Sequence, residues 1–248
     1  MPHLSTVVLN DCFTILPSSI YAASLRRLEL YDVHGWNDVD GMIQCLQNMP
    51  VLEHLVFENY ETSENAPFDA TRSRAHPPRC VRLDYLVKLE LISVFNWNVA
   101  IFGYLTIPSS ATIKTFHHVT INDDRRVPDD HLAMLADALV EHFAPASRAG
   151  AHFNEVVIDN ISVEGGLASS GEGHNPHLPD YFCFALPTSI NTSEALVLDF
   201  LDKFFTIPVI RQADKVRFTG DFLEWYPTYI PRYQSIFPAA NLDSTVVS

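Results

Sequence analysis

Lysine and arginine are scarce in this chain: 16 of its 248 residues, set against 30 Asp and Glu, give a formal net charge of −14. No basic run is longer than the pairs Arg26-Arg27 and Arg125-Arg126. A polyanion is repelled by such a surface, so nucleic acid and anionic membrane are excluded as expected partners. Long apolar runs are missing as well. No stretch reaches the roughly eighteen apolar residues of a membrane span, and the opening MPHLSTVVLNDCFTILPSSI has neither the basic start nor the unbroken apolar centre of a secretory signal. The expected location is cytoplasmic or nuclear. Cysteine is limited to Cys12, Cys45, Cys80 and Cys183, with no C-x-x-C pair. In a reducing compartment these are structural thiols, and the sequons at Asn160 and Asn191 are expected to be silent.

Catalytic signatures are lacking too. There is no G-x-S-x-G turn, and no cysteine sits in an evidently electropositive setting. Gly166 and Gly171 have the spacing of a phosphate loop, but Glu172 stands where that motif needs Lys and would repel phosphate. His174, His177, Asp180 and Cys183 have spacings that a zinc site uses, without a second well-spaced pair. Adjacent His117 and His118 point to opposite sides of a strand and cannot easily share an ion. The glycine-rich segment 165–177 is expected to be a flexible surface insertion. No cofactor, no metal and no catalytic residue is expected.

What is present is a repeated phrase. LSTVVLNDC frames Leu4, Val7, Leu9 and Cys12; LRRLELYDV frames Leu25, Leu28, Leu30 and Val33; LEHLVFENY frames Leu52, Leu55, Phe57 and Tyr60; LVKLELISV frames Leu86, Leu89, Leu91 and Val94. Each fits L-x-x-L-x-L-x-x-N/C, the leucine-rich repeat, whose period is about 20 to 29 residues. Successive copies start 21, 27 and 34 residues apart, the last gap holding the polar, proline-containing insertion 61–79. Weaker copies are FNEVVIDNI, on Phe153, Val156, Ile158 and Ile161, and ADKVRFTGD, on Ala213, Val216 and Phe218, which fails at Asp221. LTIPSSATIKTFHHVTI alternates like one or two strands and fits the frame poorly.

The connectors suit this pattern. VDGMIQCLQNMP places Val39, Met42 or Ile43, Leu46 and Met49 on one helical face, with Asp38 as N-cap and Pro50 beyond its end. DDHLAMLADALVEHF presents Leu132, Leu135, Leu139 and Phe143 at spacings of three and four and is predicted to end before Pro145, ahead of a strand at Phe153. Helix, short loop and parallel strand make the right-handed step of curved solenoids. ALVLDFLDKFFTIPVI is apolar nearly all round and reads either as a strand running into a helix or as one buried helix.

The predicted fold class is therefore α/β: an irregular leucine-rich-repeat solenoid with a parallel sheet on the concave side and helices or loops on the convex side. One domain spans 1–248, with clear repeats in 1–122, degenerate repeats in 123–248, and an aromatic segment, 225–237, that closes the last repeat or meets a partner. Alternate side chains of a strand face opposite ways. Leu28 and Leu30 then point inward, and the opposite face carries Thr6, Val8 and Asn10, then Arg27, Glu29 and Tyr31, then His54, Val56 and Glu58, then Lys88, Glu90 and Ile92. Mixed charge beside Tyr, Val and Ile is the composition of a protein interface. Arg27, Glu29, Tyr31, His54, Glu58, Lys88, Glu90 and Ile92 are the candidate partner-binding residues.

SLRRLELYDVHGWNDVDGMIQCLQNMPVLEHLVFEN, followed by LVKLELISV and YLTIPSSATIK, resembles the leucine-rich region of the large F-box-like families of mushroom-forming fungi, over residues 1 to about 122. The resemblance implies a substrate-selecting scaffold of a ubiquitin ligase, joined to Skp1 and cullin through an F-box of about forty residues ahead of the repeats. The first residues here already form a repeat strand, so Skp1 docking is expected only of a longer product that carries an F-box, and a truncated gene or fragment is the expected origin of the chain. The alternatives are an α/β enzyme whose lid-like loop 164–180 covers a site, and a fragment without activity.

Overall fold

The carbonyl of Ser5 receives the N–H groups of both Arg26 and Arg27, at 2.8 and 3.0 Å; the carbonyl of Arg26 receives Glu53 and His54, at 2.7 and 2.9 Å; that of Glu53 receives Val87 and Lys88, at 2.8 and 3.1 Å. The same exchange thus recurs at three successive strand entries. It belongs to a computed structural model that describes residues 4–12, 20–60, 68–117, 129–159, 162–166, 176–186, 194–219, 236–237 and 242–243. Asp221, the glycine-rich tip from 167 to 175, His118, Ile161, both sequon asparagines and most of 225–237 lie outside the described residues.

The chain forms strands β1 (Thr6–Asn10) and β2 (Arg27–Tyr31), helix α1 (Val39–Gln47), strands β3 (His54–Glu58), β4 (Val81–Arg82) and β5 (Lys88–Ser93), then helix α2 (Phe95–Tyr104). Strands β6 (Leu105–Thr106) and β7 (Thr112–His117) follow, with helix α3 (Asp129–Arg148) and strands β8 (Glu155–Ile158), β9 (Ser162–Gly166) and β10 (Tyr181–Ala185). Helices α4 (Glu194–Phe205) and α5 (Pro208–Arg211) precede β11 (Lys215–Phe218) and β12 (Leu242–Asp243).

One ten-stranded sheet has the order β1-β2-β3-β5-β7-β10-β9-β8-β11-β12, and β4 pairs with β6 separately. The protein is α/β with a mostly parallel sheet: only β9 runs antiparallel, to both β8 and β10. Up to β7 the sheet strands are laid down in chain order. Beyond it the order departs from serial stacking, because the β8–β9 pair is a hairpin, closed by Asp159 N–H on the Ser162 carbonyl at 2.8 Å. The strand after a hairpin must reverse again, and β10 does so in the gap between β7 and β9.

From β1 to β11 one core row is continuous through direct register partners: Val7, Leu28, Leu55, Leu89, Ile113, Phe182, Gly165, Val156 and Val216. The row beside it begins Leu9, Leu30, Phe57, Leu91, Thr115. From Leu28 to Val216 the described hydrophobic members of these rows, Phe57 included, belong to the same core cluster as the buried faces of the helices. Each framework leucine so buried contributes roughly 1.5 to 3 kcal/mol. Leu4 and Tyr60 are corrections to the repeat frame, being 47% and 50% exposed. Leu4 stands at the edge of the sheet, and at the third copy it is Asn59, not Tyr60, that is buried.

Asp38 caps α1 by accepting from Gly41 N–H at 2.7 Å, and the helix buries Val39, Met42, Ile43 and Leu46, as its periodicity predicts. Helix α2 gave no such signal, because nearly every residue in it is buried and no face is polar. Helix α3 does not stop at Pro145. Proline loses its own N–H bond and crowds the carbonyl a turn back, yet the helix runs about one turn past it, and Gly150, at φ 72, ends it with Ala151 N–H on the Ala146 carbonyl at 3.0 Å. The apolar 194–211 stretch is helical throughout its two segments. Phe68, inside the supposed polar insertion, is 6% exposed and packs on Trp36 and Trp97, at ring distances of 6.5 and 5.9 Å. Phe237 is buried against Phe205 and Phe218. Among the described residues no helix is long and apolar enough to cross a membrane.

Candidate functional site

The sheet face turned away from the core cluster carries three ladders. Thr6, Arg27, His54, Lys88 and Thr112 are direct partners; so are Asn10, Tyr31, Glu58, Ile92 and Phe116. Between them runs Val8, Glu29, Val56, Glu90 and Lys114, prolonged by Cys183, Glu164, Val157 and Arg217. All eight candidate residues fall within the part of these ladders formed by β2, β3 and β5. Period-two alternation puts them there: inward leucines at the even positions of each phrase leave the intervening residues on the other side.

This face is not evenly solvated. Arg27 is exposed, Tyr31, His54, Glu58, Lys88 and Glu90 are half-buried, and Glu29, Val56 and Ile92 are buried although Val56 and Ile92 lie outside the core cluster. Neighbouring ladders do the covering. Arg27 Nη2 meets Glu29 Oε1 at 2.7 Å, and Tyr31 donates its hydroxyl to Glu29 Oε2 at 3.3 Å. Lys88 and Lys114 reach the two oxygens of Glu90 at 2.7 and 2.8 Å. Burial alone would raise the Glu90 carboxyl, but the two ammonium groups outweigh it and hold it below the usual carboxylate range. Burial, then Glu29, pushes the Tyr31 phenol up. Both central acids are already partnered within the sheet, so the side chains with most exposure left for another molecule are Arg27 and Lys88 of the first ladder and the Tyr31, Glu58 and Phe116 edge.

The ladders extend past what the repeats marked. Lys114 and Phe116 on β7 continue the face, Lys114 Nζ lying 5.4 Å from the centre of the Phe116 ring. On β10 and β9, Tyr181, Cys183 and Glu164 form a group in which burial and the Cys183 and Glu164 side chains raise the Tyr181 phenol, and burial pushes the Cys183 thiol up to about 11. An unreactive, protonated thiol follows. The alternation of TIKTFH was the available signal for β7; its match to the frame failed because Thr115 fills a leucine place.

Of the zinc spacing, Cys183 lies in the sheet, fully buried, while His174 is outside the described residues. Among the described residues no three His, Cys, Asp or Glu side chains converge as metal ligands would. Gly165 and Gly166, assigned to a loop from the sequence, are strand residues of β9. Gly165 faces the Phe153 ring, whose nearest atoms would stand 3.2 Å from an added Cβ, so this glycine serves close packing.

Compared with known proteins, the chain matches no family model, no curated protein and no solved structure.

Proposed function

We propose that the chain is an irregular leucine-rich-repeat solenoid acting as a non-catalytic protein-recognition scaffold, comparable to the substrate-binding part of an F-box ubiquitin-ligase adaptor. One observation carries the reading: Leu9, Leu30, Phe57 and Leu91 are register partners on adjacent parallel strands, laid down in chain order, with polar and aromatic ladders on the opposite face. Stacked rungs of this kind bury what no single rung can hide and leave one broad surface for a partner. The ligand is a protein that meets Arg27, His54 and Lys88 on one side and Tyr31, Glu58 and Ile92 on the other, Glu29 holding Arg27 and Glu90 holding Lys88 in place.

The test is quantitative capture from cell extract with the full chain, comparing Arg27→Glu with Lys88→Glu on this face and Arg211→Glu, exposed on α5, as control. Proteins lost by the first two variants and kept by the third support the reading; an unchanged set in all three removes this face from consideration. Skp1 and cullin are expected in the captured set only when an F-box is joined ahead of the repeats, and their arrival with this chain alone would contradict that part.

A further inference from the structure

On the helical side, away from the ladders, the segment before β4 and the outer stripe of α3 enclose a cleft of about 360 Å³. One wall holds Arg72 and Arg79; the other holds Asp130, Asp137 and Glu141, over a floor that includes Met134. The volume lies at the small end of the range for ligand sites, about 300 to 1,000 Å³.

Arg79 is the unusual member. Its backbone is left-handed, at φ 63, and is held there by its N–H on the Gly103 carbonyl at 3.0 Å and by Thr106 Oγ1 donating to its own carbonyl at 2.7 Å. Its side chain is 12% exposed, with the guanidinium 5.9 Å from the centre of the Phe102 ring. Among the described residues neither Nε nor Nη1 finds a hydrogen-bond acceptor. Glu141 comes no nearer than 3.6 Å to Nε, too far for a hydrogen bond. Burial, against a weaker pull from Glu141, lowers this guanidinium to about 10. A strained, firmly tethered backbone that aims an under-satisfied cation at a cleft is built for an anion, since an orphaned charged donor costs more than a neutral one.

A simple anion, however, would also face three carboxylates, Asp130, Asp137 and Glu141, which Lys203, 3.4 Å from Asp137, and Arg79, 3.6 Å from Glu141, do not fully offset. A simple cation would face Arg79 and Arg72. We propose that the cleft binds a small amino acid, or a molecule of the same two-charge type, with its carboxylate on Arg79 and Arg72 and its ammonium toward Asp130 and Glu141. This assignment is independent of the scaffold reading.

Titration calorimetry on the full chain with γ-aminobutyrate, butyrate and butylamine separates the charges on one carbon skeleton. The first should bind, and each single-charge probe should bind at least about tenfold more weakly, since one charge-assisted hydrogen bond is worth roughly 1.5 to 3 kcal/mol and 1.4 kcal/mol is tenfold. Arg79→Lys should weaken γ-aminobutyrate similarly. Because Arg79 is packed and its variant can fail to fold, Arg72→Gln, at an exposed position, repeats the test. Butyrate binding as tightly as γ-aminobutyrate, undiminished binding by Arg72→Gln, or heat from none of the three at millimolar concentration would overturn the proposal.

Discussion

Lys114 Nζ sits 2.8 Å from one oxygen of Glu90, a strand away, while Lys88 Nζ holds the other at 2.7 Å. The carboxyl therefore ionises more readily in the folded protein than in the unfolded chain. A group with a depressed folded value contributes stability that is fully present above its ordinary value of 4.5 and is lost as pH falls through the folded value. Glu90→Gln should cost about 1 to 2 kcal/mol at neutral pH, with the gap to the parent closing in acid. Denaturant melts across pH measure it, and a gap that stays constant would show that Glu90 acts through packing and not through charge.

Leu28 and Arg27 are neighbours on β2 with opposite fates. Leu28 is fully buried between Val7 and Leu55, while the Arg27 side chain is 51% exposed. Placing a carboxylate at Leu28 strands an unpaired charge in the core, at a cost of several kcal/mol against a total stability of about 5 to 15. Leu28→Asp should abolish the cooperative thermal transition and Arg27→Ala should leave Tm nearly unchanged. Equal destabilisation by both would count against the inward and outward assignment of the whole sheet.

His142 titrates the other way from Glu90 in chemical type yet points to the same side of the pH scale. Burial, aided by the Arg79 charge, lowers it from 6.5 to about 3, against a weaker pull from the Ile107 carbonyl. Between those values the unfolded chain binds a proton that the folded one does not, so stability falls as pH drops below 6.5, by up to about 1.4 kcal/mol per pH unit. His142→Leu should flatten that slope. If its stability declines over the same window as steeply as the parent's, another group causes the acid loss.

Thr115 occupies a leucine place in the core row and is fully buried. Its hydroxyl accepts the Ala185 N–H at 2.8 Å, where β7 meets β10. Thr115→Val keeps the shape and orphans that N–H, for an expected loss of about 1 to 3 kcal/mol, whereas Thr115→Ser keeps the acceptor and should cost less. The reverse order in melting experiments would make the methyl group, and not the bond, the reason for threonine.

Thr115 also shows why the reading of the sequence stopped where it did. Leu28, Leu55 and Leu89 announce their rungs because every neighbour wants the same thing, an aliphatic side chain on one face. At β7 a junction between strands distant in sequence needs an acceptor, and local pattern cannot register a partner that comes seventy residues later. Helix α2 was invisible for a different reason: burial on all sides erases the polar face that a period of 3.6 depends on. The eight face residues were legible because alternation fixes direction. Their mutual ion pairs, the extension through Lys114 and Cys183, and the cleft at Arg79 arise from tertiary placement and left no periodic trace.

Gly165 stands in the core row between Phe182 on β10 and Val156 on β8. Three atoms of the Phe153 ring lie 3.2 to 3.3 Å from where its Cβ would be, and that ring is stacked on Phe182 at a centroid distance of 5.9 Å, so it cannot slide away without disturbing a second aromatic. Gly165→Ala should therefore destabilise by about 1 to 3 kcal/mol, the usual result of overpacking, even though alanine suits a strand no worse than glycine. If the clash is the cause, Phe153→Leu in the same chain should recover part of the loss, giving a favourable coupling in a double-mutant cycle. Strict additivity of the two substitutions would move the reason for glycine away from Phe153 and toward the connection that follows it.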